Sequence, residues 1–155
     1  MNTMQSSLHI LYIGKSAQCL EPLKQKQNVT LTALDNNLLA VNYLKSSTQP
    51  DAIICDYQLT GQDGLHLFDW VRQRSVFNSA PFILLAPVFN RDIFKMAFQR
   101  KVDDFYPLAD VQADKILDRI RYLREYRKKE SSSPVVEPAA APYRMPVSKR
   151  LFDIL

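Results

Sequence analysis

No apolar run in these 155 residues approaches the roughly 20 that a membrane-crossing helix needs, so nothing within them is expected to span a bilayer. Met1 to Ser7 lack the basic-then-apolar order of a secretory signal, and a cytoplasmic setting is the expectation. Cysteine is scarce. Cys19 and Cys55 have no CxxC or metal-ligand spacing, and Cys55 lies in an apolar strand-like run where a buried thiol is expected. Histidine is equally sparse: His9 reads as a strand residue and His66 as a helix-surface residue, with no ligand partner at metal spacing.

What is present is ordinary for a folded chain, 46% apolar and 23% charged, enough for one domain with a core and a tail. The net charge of +4 gathers in Arg119, Arg121, Arg124, Arg127, Lys128 and Lys129. These alternate with apolar residues at helical spacing, so they read as a solvated helix face, and no nucleic-acid partner is expected.

Leu8–Ile13 is a short apolar run ended by Gly14, a buried strand. A helix follows, beginning between Ser16 and Pro22, since proline is tolerated in a first turn. Val29–Leu34 is rich in β-branched residues and reads as a second strand, and Asp35, Asn36 and Asn37 offer a cap for the next helix. Asp51–Asp56 is a third strand ending on a carboxylate. Gly61 and Gly64 punctuate the loop before a helix marked by Leu65, Phe68, Trp70 and Val71. Pro81–Ala86 is a fourth strand, and Ile93, Phe94, Ala97 and Phe98 give the following helix its apolar stripe. Asp103–Tyr106 is a short fifth strand, with Asp103 and Asp104 expected as exposed turn acids before it. Ile116, Leu117, Ile120 and Leu123 carry a last helix to about Lys129.

Five strands alternating with five helices predict an α/β fold, a parallel sheet covered on both faces. Right-handed crossovers leave few topologies, and the flavodoxin-like (βα)5 three-layer sandwich with order 2-1-3-4-5 is the one expected. Its ligand crevice opens at the carboxyl ends of strands one and three, beside Gly14, Lys15 and Asp56. The expected domain spans 1–130. Residues 131–147 are expected to form a linker rich in proline, alanine and serine, and 148–155 to be the truncated start of a further segment.

From Leu8 to Lys129 this layout resembles the receiver domain of two-component response regulators. The residues that carry the likeness are Pro50-Asp-Ala-Ile-Ile-Cys-Asp56 with Gly64-Leu65, Pro81-Phe-Ile-Leu-Leu, and Val102-Asp-Asp-Phe105. The resemblance makes Asp56 the phosphoacceptor-like residue and Phe105 the switch-aromatic position. It also implies a magnesium ion on an acid pair after strand one, a hydroxyl after strand four and a lysine after strand five. This chain departs from that pattern at each place: Gly14 and Lys15 replace the acid pair, Ala86 the hydroxyl and Leu108 the lysine. An aspartyl phosphate would be left with its charge largely uncompensated, forgoing several kcal/mol of stabilisation. Magnesium is therefore not expected, nor any other cofactor. Lys15 is expected to substitute for the metal by pairing with Asp56, and Phe105 to fill core space.

In the tail, Tyr143-Arg144 and Lys149-Arg-Leu-Phe-Asp-Ile-Leu155 look like the opening of bacterial polyprenyl-phosphate sugar-1-phosphate transferases. In that family a basic pair leads into a membrane-embedded helix, which would put the intact protein at the inner face of the bacterial membrane. The two resemblances together imply a non-catalytic degenerate receiver, acting as regulatory or assembly module of a transferase domain in cis that initiates exopolysaccharide or capsule synthesis. The alternatives are a functional phosphoacceptor regulator and a nucleic-acid-binding regulator. A homodimer is expected through the face bearing Phe94, Phe98, Tyr106 and Tyr122, where aromatic residues sit among mixed charges.

Overall fold

The computed structural model describes residues 7–46, 49–59 and 61–132. Strands β1 (Leu8–Ile13), β2 (Val29–Leu34), β3 (Ala52–Asp56), β4 (Phe82–Ala86) and β5 (Asp104–Pro107) pair in parallel, in the order β2-β1-β3-β4-β5. Helices α1 (Glu21–Lys24), α2 (Asn37–Ser46), α3 (Gly64–Arg72), α4 (Arg91–Gln99) and α5 (Ala113–Ser132) alternate with them, which is the expected flavodoxin-like sandwich.

Strand periodicity divides the core in two. Ile10, Tyr12, Ile54, Ile83 and Leu85 face one way and pack with Leu23 of α1 and Ile116, Leu117 and Ile120 of α5. Leu11, Ile13, Ile53, Cys55 and Leu84 face the other, against Ala40 and Leu44 of α2, Leu65, Phe68 and Val71 of α3 and Ala97 of α4. Each fully buried leucine or isoleucine contributes about 1.5–3 kcal/mol over its exposed state. Because both faces are covered, the central strands read as continuous apolar runs.

Side-chain caps start the helices where the sequence offers them. Asn36 Oδ1 accepts from Leu39 N–H, Asp63 Oδ1 from His66 N–H, and Asn90 Oδ1 from Asp92 and Ile93 N–H. The first helix begins between Ser16 and Pro22 as expected and is short, a 3-10 turn over Ala17–Leu20 and one turn of α1. Proline sits in its first turn, and the αL residue Asn28, at φ +63°, precedes β2. β5 lies one residue later than expected, and α5 continues through Ser132. Residues 125–132 are its last turns. Among the described residues no helix is long and apolar enough to cross a membrane. The linker beyond 132 and the segment 148–155 lie outside the described residues.

Candidate functional site

β1 and β3 are neighbours, with Tyr12 opposite Ile54 and Ile13 opposite Cys55, so the turn after β1 meets the end of β3. Asp56 closes β3 and is buried, the one carboxylate among the buried polar residues described. It shares the parity of Ile54, and Tyr12 that of Ile10, so both side chains face the α1–α5 side of the sheet.

Asp56 is surrounded by donors from the first strand and its turn. Tyr12, fully buried, donates its hydroxyl to Asp56 Oδ1 at 2.8 Å. Oδ2 accepts from the Ser16 hydroxyl at 3.0 Å and from the Lys15 backbone N–H at 3.1 Å. The Tyr12 oxygen in turn accepts the Ser16 backbone N–H, closing the network. Gly14 makes the wrap possible: at φ +143°, its missing Cβ would lie 2.4 Å from the Asp56 carboxyl carbon. Gly64 allows a second close approach, where a Cβ would lie 2.5 Å from the Asp56 carbonyl oxygen.

Burial raises the Asp56 pKa above the ordinary carboxylate value, and the bonds from Tyr12, Lys15 and Ser16 pull against it. The Tyr12 hydroxyl is held well above a normal phenol, first by burial and then by the Asp56 carboxylate. Every donor on Asp56 is neutral. The expected pairing with the Lys15 ammonium is therefore corrected: Lys15 gives its backbone N–H, its side chain is exposed, and no ion pair among the described residues includes Asp56. The turn aims the Lys15 amide, not its ammonium, at the carboxylate.

A cavity of about 310 Å³ opens beside this network. Lys15, Ser16, Asp35 and Asp56 line it on the polar side, and Leu59, Pro87 and Leu108 on the apolar side. Ala86, at the hydroxyl position, is buried at the end of β4 and offers only a methyl group. Leu108, at the lysine position, puts an aliphatic side chain on the cavity wall. The set does not suit a magnesium ion: two carboxylates, Asp35 and Asp56, the second already holding three neutral donors, beside a glycine and a lysine, are not an oxygen cage. Among the described residues no three His, Cys, Asp or Glu side chains are grouped to hold a metal.

Phe105 is half-buried on the other face of the sheet, 5.7 Å from the Phe94 ring and 6.3 Å from Phe89. Asp103 and Asp104 are not exposed turn acids. Asp103 accepts from Arg72 at 2.9 Å and from Phe82 N–H at 2.6 Å, and Asp104 takes Tyr106 Oη at 2.7 Å and Arg119 Nε at 3.1 Å. Sequence reasoning missed Tyr12 and Ser16 as members of the site. The available signal was a lone hydroxyl-bearing aromatic in an aliphatic strand, since a buried tyrosine needs a partner.

Neither a protein-family model nor a curated relative matches the chain. Solved structures do. The signal receiver domain of an HD domain-containing protein from Pseudomonas fluorescens Pf-5 superposes with a TM-score of 0.66 at 20% identity, covering 86% of this chain and 98% of that one. A two-component response regulator from Cytophaga hutchinsonii gives 0.65 at 17% identity, over 78% of this chain and 99% of its own. The Mn2+-bound form of response regulator Rcp1 gives 0.60 at 18%, over 85% and 99%. The fold is thus that of receiver domains, along essentially their whole length.

Proposed function

We propose that this chain is a receiver-like module that works without phosphorylation, as the regulatory or assembly domain of a membrane-bound sugar-phosphate transferase in cis. The observation that carries the first half is the shell of neutral donors around Asp56. Attack on a phosphodonor needs a free carboxylate oxygen and cations to take up the developing charge. Here Oδ1 and Oδ2 already accept from Tyr12, Ser16 and Lys15 N–H, and Gly14, Lys15, Ala86 and Leu108 supply none of the usual partners. The second half rests on the sequence likeness of Tyr143, Arg144 and Lys149–Leu155 to the transferase opening. The fragment itself then has no enzymatic activity.

Incubation with a small phosphodonor and magnesium tests the first half. We expect no label on Asp56; magnesium-dependent labelling there would establish the rival reading, a working phosphoacceptor, to which the open cavity beside Asp56 lends support. The sequence following Leu155 in the intact gene tests the second. About 20 apolar residues are expected, whereas a polar continuation into a helix-turn-helix overturns it. A nucleic-acid role is disfavoured because Arg119 and Arg124 are paired with Asp104 and Asp51. Pairing of two copies through α4, β5 and α5 belongs to the same proposal, since Phe94, Phe98 and Tyr122 are exposed there.

A further inference from the structure

The departure from a magnesium site has a specific agent. We infer that Tyr12 is the built-in substitute for the cation: its buried hydroxyl, braced by the Ser16 amide, satisfies Asp56 Oδ1 and holds the Gly14–Ser16 turn closed over the carboxylate. This rests on the phosphate-independent reading and names the residue that enforces it.

Three observations converge on Tyr12. Its ring is fully buried in the sheet face shared with Ile10 and Ile54, so packing fixes where the hydroxyl sits. The hydroxyl has one proton and accepts one, and both roles are used at once, Asp56 Oδ1 taking the proton and Ser16 N–H supplying the other bond. The turn it braces also delivers the Ser16 hydroxyl and the Lys15 N–H to Oδ2, so one phenol organises all the donors on Asp56. A cation would satisfy these oxygens from the solvent side and leave with the solvent ions. A phenol in the core cannot leave, and the pocket stays in one arrangement whatever the metal concentration. Restoring an acid at position 14 would not reopen it, because any side chain there collides with the Asp56 carboxyl group.

The test is carbon-detected NMR of the Asp56 carboxyl and the Tyr12 Cζ in residues 1–155 through a pH titration. In the wild type, Tyr12 Cζ should follow the titration of Asp56, because losing the carboxylate changes the acceptor of its hydroxyl. A Cζ signal indifferent to that titration overturns the inference without any variant. In Tyr12→Phe, Asp56 should titrate about one unit higher, a tenfold change in its proton affinity, and the Ser16 amide should exchange faster. Lys15→Met should leave both readings at their wild-type values. A Tyr12→Phe titration superimposable on wild type, or a shift in Lys15→Met alone, also overturns it and assigns the role to the ammonium. Phosphodonor labelling of wild-type Asp56 would sink the proposed function on its own, while coupled titration of Tyr12 and Asp56 would still stand.

Discussion

Two sequestered carboxylates, at opposite edges of one sheet, are held in different ways. Asp103 sits at the amino edge, before β5. Its Oδ2 receives the Arg72 guanidinium at 2.9 Å and the Phe82 amide at 2.6 Å. The same guanidinium donates to the carbonyls of Phe77 and Ala80 and lies 5.1 Å from the centre of the Phe68 ring. One cation thereby ties the end of α3, the 77–80 turn and the starts of β4 and β5 together. Asp56 sits at the carboxyl edge and accepts three bonds, all from neutral groups. Hydrogen bonds satisfy its lone pairs but supply no counter-charge, and burial raises its pKa. In receiver domains the carboxyl edge is where charge changes; here it is the amino edge that holds the compensated charge. The difference marks Asp103 as a fastener and Asp56 as a carboxylate the fold tolerates in exchange for a closed turn.

The largest effect should come from breaking the charged fastener. The Arg72 and Asp103 side chains are 21% and 9% exposed, so removing either leaves the other's charge mostly desolvated. Asp103→Ala and Arg72→Ala should each lose about 3 kcal/mol in urea unfolding, with the double variant costing little more than either single one. Strictly additive losses would show that the two act separately.

Next in size is the turn over Asp56. Gly14→Ala meets both a left-handed backbone at φ +143° and a contact of 2.4 Å with the Asp56 side chain, and should cost about 2 kcal/mol. Gly14→Asp, which restores an acid of the resemblance, should cost more, because it adds a second negative charge beside a carboxylate that has no cation. If Gly14→Asp were as stable as wild type in millimolar magnesium, the pocket would be a metal site after all.

The third prediction separates the carboxylates by pH. The Asp56 pKa is raised in the folded state, so its favourable contribution is complete below the ordinary value of 3.8 and is lost as pH rises through the folded value. Wild type should therefore lose stability relative to Asp56→Asn as pH rises from the ordinary carboxylate value through the raised folded one. Chemical unfolding at a series of pH values measures it. A difference growing in the opposite direction would mean that a cation faces Asp56 in solution.

Much of this fold could be read in the sequence because its central strands β1, β3 and β4 are buried on both faces and announce themselves as apolar runs. Leu8–Ile13 and Pro81–Ala86 needed only composition and the glycine or proline beside them, and Val29–Leu34 its β-branched residues. Asp56 was legible as the polar end of such a run. Tyr12 was not, because within an aliphatic strand a tyrosine reads as core until the β1–β3 register puts its hydroxyl against that carboxylate. Asp103 was misread as an exposed turn acid for a related reason. Its partners are Phe82, 21 residues away, and Arg72, 31 residues away, and no local pattern signals such contacts.

The smallest effect on stability should come from the aromatic surface of α4, which touches neither carboxylate. Phe98 is 74% exposed and stacks on Phe94 at 6.5 Å between ring centres, and Phe94 in turn packs on Phe105. Phe98→Ser removes little buried area, so it should shift unfolding by no more than about 0.5 kcal/mol. It should leave the pH signature of Asp56 untouched. What it should change is association. Phe94 and Phe98, with Val88 and Phe89, form a group of exposed apolar side chains of the kind that marks an interaction surface. The proposed pairing through this face predicts concentration-dependent sedimentation for residues 1–155, indifferent to a phosphate analogue and weakened by Phe98→Ser. A monomer at every concentration removes the pairing. A dimer that Phe98→Ser leaves intact moves it to another face, and a dimer that tightens with a phosphate analogue returns Asp56 to service as a switch.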